Sequence, residues 1–341
     1  MRYAIGLLLF VGCAHGTPGG EGTVGLRAQD EDALVAGTWR AIAYSGFREG
    51  QHPDRGHGAV LPSRSEVEED LGILSREGFG LIRLYDSGEN SKMVLEVIRA
   101  QELPMKVVLG AWLEAELSAH ETCAWLDSPI PDEVLAKHVV SNQRELQRAI
   151  GLANDFSEIV VAVNVGNEAL VTWNDHLVSI DSMVGYLELV ADAIEQPVTT
   201  ADNYLAYVEH AEALSRVVDF AFVHAYPVWE GKSIDEALEF TLSNLAMVQK
   251  ALPNTPLAIG EAGWTSQAEE FGERSTPGIQ TRYVAELYGL AREKNISTFV
   301  FEAFDEPWKG NPSRPLGAEK HWGLWYVDRT PKPVAQEKPW K

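Results

Sequence analysis

The 341-residue chain contains only two cysteines, Cys13 and Cys123, which excludes a disulfide-stapled fold. Positive charge is also scarce. Against 50 Asp and Glu stand 28 Lys and Arg, a formal charge of -22. Such a surface repels nucleic acid and other anionic polymers and favours a neutral substrate. No apolar run is long enough to cross a bilayer as a lone helix. Several catalytic signatures are missing too. There is no His-Glu-x-x-His, the nine histidines are scattered, and His52 and His57 fall in a Gly-rich loop, so no metal site is expected. There is no Gly-x-Ser-x-Gly, and Cys123 has no catalytic setting. Gly20-Glu21-Gly22-Thr23-Val24-Gly25 matches the dinucleotide fingerprint, but no strand precedes it and no helix follows. No cofactor is expected.

What is present begins with an N-terminal address. Arg2 supplies a positive start, and Ile5 to Val11 form a short apolar stretch that closes on Gly12-Cys13-Ala14. That ending resembles the lipobox of bacterial lipoproteins, in which Cys13 would carry the lipid, although Phe10 stands where the pattern usually has leucine. Secretory cleavage near Ala14-His15-Gly16 is the alternative. The expected organisation is a signal peptide at 1–15, a glycine- and acid-rich tether at 16–35 and one catalytic domain at 36–341. The mature protein is then exported, to the cell envelope or beyond, and touches a membrane only through the lipid. A monomer is the default. Once Cys13 is lipidated or removed, Cys123 has no partner.

From residue 36 short apolar runs alternate with amphipathic stretches. Strands are expected at Arg40–Ser45, Leu81–Tyr85, Lys106–Ala111, Ile159–Val165, Pro197–Ala201, Phe220–Ala225, Leu257–Gly260 and Thr298–Ala303. Helix starts are signalled by capping boxes at Ser65–Glu68 and Ser233–Glu236 and by Thr276-Pro277. Helical spacing runs over Asp132–Leu152 and Gln280–Lys294. Eight strand–helix repeats in about three hundred residues predict a single (β/α)8 TIM barrel, whose active site lies at the carboxyl ends of the strands. Those ends carry Tyr44 and Ser45; Arg83, Tyr85 and Asp86; Trp112; Asn167 and Glu168; Asp202 and Asn203; Tyr226 and Trp229; Glu261 and Trp264; and Glu302, Asp305, Trp308 and Lys309. The opposite ends carry far fewer such groups.

Two of these positions define a chemistry. Glu168 and Glu261 each end an apolar strand, and strands four and seven face each other across a barrel mouth. A retaining glycosidase needs two carboxyls about 5 Å apart, one to attack the anomeric carbon and one to protonate the leaving oxygen and then activate water. The residues alone do not say which glutamate is the acid. Asn167 can hydrogen-bond a sugar 2-hydroxyl, and Tyr226 can orient Glu261. Arg83 can either orient a catalytic glutamate or touch sugar. The expected sugar-binding set is Tyr44, Arg83, Tyr85, Asn167, Tyr226, Trp229, Trp264, Glu302, Trp308 and Lys309, with the tryptophans as stacking platforms and Glu302–Lys309 as an ion pair reaching a hydroxyl. Trp39, Trp322, Trp325 and Trp340 are assigned to packing or surface.

Taken in order, Ala43–Gln51, Ile82-Arg83-Leu84-Tyr85, Val165-Gly166-Asn167-Glu168, His224-Ala225-Tyr226-Pro227, Gly260–Trp264 and Phe301–Lys309 resemble glycoside hydrolase family 17, closest to its bacterial and fungal branches. The resemblance spans most of the mature chain. It implies that Glu168 is the general acid/base and Glu261 the nucleophile, that the substrate is β-1,3-glucan such as laminarin, and that no cofactor is used. Thr265 departs from the family, which often has proline after the tryptophan. A glucanosyltransferase with the same glutamates, a glucan-binding lipoprotein without turnover, and the same chemistry on another β-glycan are the alternatives.

Overall fold

The computed structural model describes residues 26–31, 33–54 and 58–341. Cys13 and the whole of 1–15 lie outside them. Eight parallel strands close into a barrel in chain order: β1 Ala41–Ala43, β2 Leu81–Arg83, β3 Lys106–Ala111, β4 Val160–Asn167, β5 Val198–Asn203, β6 Ala221–Ala225, β7 Leu257–Ala262 and β8 Thr298–Val300. Around it run α1 Arg64–Glu77, α2 Glu89–Ala100, α3 Asp132–Asp155, α4 Ile180–Ala191, α5 Tyr204–Glu209, α6 Ala211–Leu214, α7 Ala237–Ala251, α8 Pro277–Lys294 and α9 Pro333–Glu337. The (β/α)8 expectation holds.

The interior is packed, not hollow. One buried cluster takes a residue from every strand: Ala41, Leu81, Val108, Ala162, Ala201, Phe222, Ala258 and Phe299. Four alanines leave room for two phenyl rings, which meet edge to face at 5.1 Å. The outer faces of the same strands pack on the helices as a second, larger cluster. The polar groups of the mouth therefore stand on an apolar floor, with the Arg83 guanidinium 5.0 Å from the Phe222 ring centre.

Some expected boundaries shift. β1, β2 and β8 are shorter than expected, while β4, β5 and β7 run further toward the mouth. The first capping box is Ser63–Glu66, two residues earlier than expected: Ser63 Oγ accepts from Glu66 N–H, and Glu66 accepts from Ser63 N–H at 2.7 Å. At Ser233–Glu236 only half of the box forms: the Glu236 carboxylate accepts from Ser233 N–H at 3.0 Å, while Glu236 N–H donates to the Ser233 carbonyl, and α7 begins at Ala237 with no side-chain cap. Residues 26–31 and 33–35, expected to belong to the tether, are docked under the barrel. Gln29 Nε2 donates to the carbonyls of Val35, Leu257 and Asn295, and Val35 closes the bottom of the interior cluster. Among the described residues no helix is long and apolar enough to cross a membrane.

Candidate active site

Both glutamates arrive through a break in strand register. Against β5, β4 slips between Asn164 and Asn167. Gly166 takes φ 77° there, and Asn164 Nδ2 donates to its carbonyl at 2.8 Å. The bend needs glycine for its positive φ; a Cβ there would also lie 2.9 Å from the flexible end of Met183, at Cε. Glu168 follows at φ 49°, a left-handed conformation that costs a non-glycine residue about 1 kcal/mol. Its backbone N–H is fixed on the Ala201 carbonyl at 2.8 Å. Against β6, β7 slips so that His224 pairs with Glu261. Gly260 sits at that slip, where a Cβ would come within 3.1 Å of the Phe222 ring.

Three groups donate to Glu261. Arg83 Nη1 at 2.9 Å and Tyr85 Oη at 2.8 Å meet Oε1, and Tyr226 Oη meets Oε2 at 2.5 Å. Burial first, and then the charge of Glu261, push Tyr85 and Tyr226 well above the ordinary phenol value. Both phenols therefore stay protonated and donate. Arg83 is fully buried. It also reaches Asn167 Oδ1 at 2.5 Å, the Gly260 carbonyl at 3.0 Å and His224 Nε2 at 2.9 Å. A guanidinium has no acceptor, so His224 must accept at Nε2 and carry its proton on Nδ1. That Nδ1–H points at Glu168 Oε1, 2.8 Å away, and lies 3.6 Å from Glu261 Oε2.

Glu168 is the more open of the two, with 24% of its side chain exposed against 6% for Glu261. Burial raises its pKa, but the hydrogen bond from His224 Nδ1–H, with the Asn174 amide donating to Oε2 at 3.1 Å, overcomes this and takes it down to about 2. Below it lies Asp202, also buried, which accepts from Leu170 N–H and Asn203 N–H. Burial and then the charge of Glu168 push Asp202 well up.

Other expected site residues divide. Asn167, Tyr85 and Tyr226 stand at the mouth. Arg83 is in the site but wholly beneath Glu261, so it orients the carboxylate and does not contact sugar. Tyr44 and Trp264 are not in the cleft. Tyr44 is 1% exposed and donates to Asp70, while Trp264 is 1% exposed, packs on Tyr283 of α8 and gives its Nε1–H to the Arg274 carbonyl. Neither is a sugar platform. Glu302 and Lys309 do pair, at 2.6 Å, with Glu306 as a third member at 2.7 Å. Burial pushes Glu302 well up; for Lys309 burial acts downward, and the two carboxylates more than reverse it. Trp308 meets Phe47 edge to face, and Trp229, 45% exposed, rests on Phe271 at 4.6 Å. Sequence reasoning gave no role to His224, Asn174 or Glu319. His224 had a signal, since it shares the inward parity of Phe222 and Tyr226; Asn174 sits in a loop with no periodicity to read. Glu319 is half-buried. Burial raises it, Lys309 opposes, and both glutamates add to the rise. Among the described residues no group of His, Cys, Asp and Glu could hold a metal ion.

The profile of the BtgE/BtgC glycoside hydrolase domain matches residues 41–323, which takes in all of these groups. The chain belongs to this glycoside hydrolase family. That agrees with the family 17 resemblance of its motifs. The enzyme is 26% identical over 284 residues to a glucan 1,3-beta-glucosidase of Arthroderma benhamiae, covering 79% of this chain and 83% of that one. It is 30% identical over 187 residues to a glucan 1,3-beta-glucosidase of Schizosaccharomyces pombe, covering 51% of this chain and 56% of that one. Among solved structures it is similar to an endo-laminarinase from Formosa, with TM-score 0.73, 25% identity, and 89% and 87% of the two chains covered. A family 17 beta-1,3-glucanosyltransferase from Rhizomucor miehei shares the fold at TM-score 0.65 and 24% identity, covering 88% and 97%.

Proposed function

We propose that this glycoside hydrolase cleaves β-1,3-glucan with retention, Glu261 acting as nucleophile and Glu168 as general acid/base. The observation that carries this is the shared His224 Nδ1. It lies 2.8 Å from one carboxylate and 3.6 Å from the other, so the two nearest oxygens are no further apart than those distances together. That bound accommodates the ~5 Å spacing of a retaining pair. Their surroundings support these roles. Glu261 is immobilised by three donors and charge-matched by Arg83, which suits a nucleophile that must hold one position. Glu168 has fewer donors and an open face through which protons and water pass.

The chemistry balances in two steps. A Glu261 oxygen bonds to the anomeric carbon as the glycosidic C–O bond breaks and Glu168 gives its proton to the departing oxygen. Water then gives a proton to Glu168, its oxygen bonds to the anomeric carbon, and Glu261 leaves as carboxylate. In the free enzyme Glu168 is held low, so it must gain its proton affinity in the complex. Sugar covering its exposed face acts in that direction, because burial disfavours the charged form.

The substrate is supported by the glucan-directed names of the relatives and by the neutral-substrate expectation from charge. Product analysis on laminarin, beside Glu168→Gln and Glu261→Ala, tests the whole. Short oligosaccharides from wild type, near silence from both variants, and azide rescue of Glu261→Ala to an α-glycosyl azide are expected. Undiminished turnover by Glu261→Ala refutes the assignment. Products longer than the donor identify a transferase, and cleavage of cellulose or mannan in preference to laminarin refutes the glucan.

A further inference from the structure

On the Glu168 side of the mouth, two loops form one rim. Residues 112–131 link β3 to α3 and 168–179 link β4 to α4. Glu116 N–H and Leu117 N–H both donate to the Leu177 carbonyl, at 2.9 and 3.0 Å, and Thr122 Oγ1 donates to the Thr172 carbonyl. The base of the rim is stacked where Trp112 meets the His176 ring at 4.7 Å. Each tip raises an indole into solvent. Trp125 is 60% exposed and Trp173 is 39% exposed. The Thr122–Thr172 bond lies three residues from one and one residue from the other, so both indoles flank the tie between the loops. A large aromatic is thus left in water on each of two tied loops, one of which also carries Glu168.

The direction of this rim follows from Asn174. It is next to Trp173 in the chain, and its amide donates to both the carbonyl and Oε2 of Glu168. Glu168 is the group that faces the departing oxygen, so a glucan chain on the leaving side of the bond emerges beside Asn174 and runs toward Trp173. We propose that Trp125 and Trp173 are distal subsites for the leaving-side glucosyl units of the polymer. The apolar faces of successive β-linked rings stack on the two indoles. The proposal rests on the glucanase reading and adds to it the source of a preference for long chains.

The test separates the two readings. kcat/KM is measured for wild type, Trp125→Ala and Trp173→Ala on laminarin and on an aryl β-laminaribioside, whose leaving group ends at the first position beyond the bond. Loss of a stacking ring lowers kcat/KM on laminarin by about three- to tenfold and leaves the aryl substrate unchanged. Equal losses on both substrates, or none on either, overturn the proposal. Calorimetry of laminarihexaose on Glu168→Gln, with and without Trp125→Ala, needs no turnover. Weaker binding upon loss of Trp125 supports the rim even if wild type proves inactive on laminarin, an outcome that would sink only the hydrolase reading. Unchanged binding overturns the rim whatever the turnover.

Discussion

Replacing Arg83 by lysine separates orienting Glu261 from binding sugar. Arg83 is fully buried and spends its two terminal nitrogens on Glu261, His224, the Gly260 carbonyl and Asn167. Lysine keeps the charge but replaces a planar fork by a single ammonium, so it cannot reach Glu261 and Asn167 together. Losing one charge-assisted hydrogen bond at the reacting carboxylate, and the geometry that the others hold, costs about 3 kcal/mol, or about a hundredfold in kcat. Because no atom of Arg83 faces the cleft, KM should stay within about twofold. The assay is steady-state kinetics on laminarin, with a thermal melt to show that the variant is folded. A rise in KM at unchanged kcat would mean that Arg83 meets the substrate and that its apparent enclosure beneath Glu261 is not the working geometry.

Two further outcomes follow. Asp70, with no exposed surface, takes two bonds from Arg329 at 2.7 and 2.6 Å and one from Arg48 at 2.9 Å, tying the C-terminal segment to the loop after β1. Asp70→Asn leaves the buried Arg329 without its counter-charge and should cost about 3–5 kcal/mol by denaturant unfolding, whereas a loss below about 1 kcal/mol would show the network to be dispensable. Glu168 is lowered from 4.5 to about 2 in the folded chain, so its contribution to stability is complete above pH 4.5 and disappears as pH falls through about 2. Thermal melts of wild type and Glu168→Gln should therefore differ most near neutrality and converge across that window, and a pH-independent gap would contradict the hydrogen-bonding scheme around this carboxyl.

The barrel was legible because its strands alternate. In β2, Leu81 faces the interior and Arg83 and Tyr85 share its parity; in β6, Phe222, His224 and Tyr226 do the same. The same rule, carried one step further, would have removed Trp264. Counting from the inward Glu261, Ala262 faces out, Gly263 in and Trp264 out, against α8. What the rule cannot supply is the break that puts Glu261 inward at all. Counted from Ala258 the inward positions are even, and only the slip at Gly260 moves the parity to 261. β4 slips near its own end in the same way. The glycines that permit these breaks are visible in the sequence, but what they accommodate is not: a left-handed turn at Gly166 and, at Gly260, the ring of Phe222, which is distant in the chain. The rim tryptophans were missed for a related reason: Trp125 and Trp173 sit on loops, where no period says which way a side chain points.

These register breaks also explain why two chemically identical side chains sit in different surroundings. The slip in β7 lowers Glu261 toward the floor, within reach of Arg83, Tyr85 and Tyr226, so both of its oxygens accept from rigid donors. The left-handed turn at Glu168 lifts that side chain away from the floor and leaves part of it exposed. Its donors are one imidazole and one loop amide. A nucleophile gains from the first arrangement because the attacking oxygen is already in place when the sugar binds. An acid/base gains from the second because its proton must come and go twice per turnover. His224 couples them. Its Nε2 is held by the arginine that holds Glu261, so the Nδ1–H that it presents to Glu168 is fixed by the support of Glu261 itself. Damage to that support should then disturb proton delivery as well as attack, and substitutions at Arg83 and His224 should be less than additive in kcat.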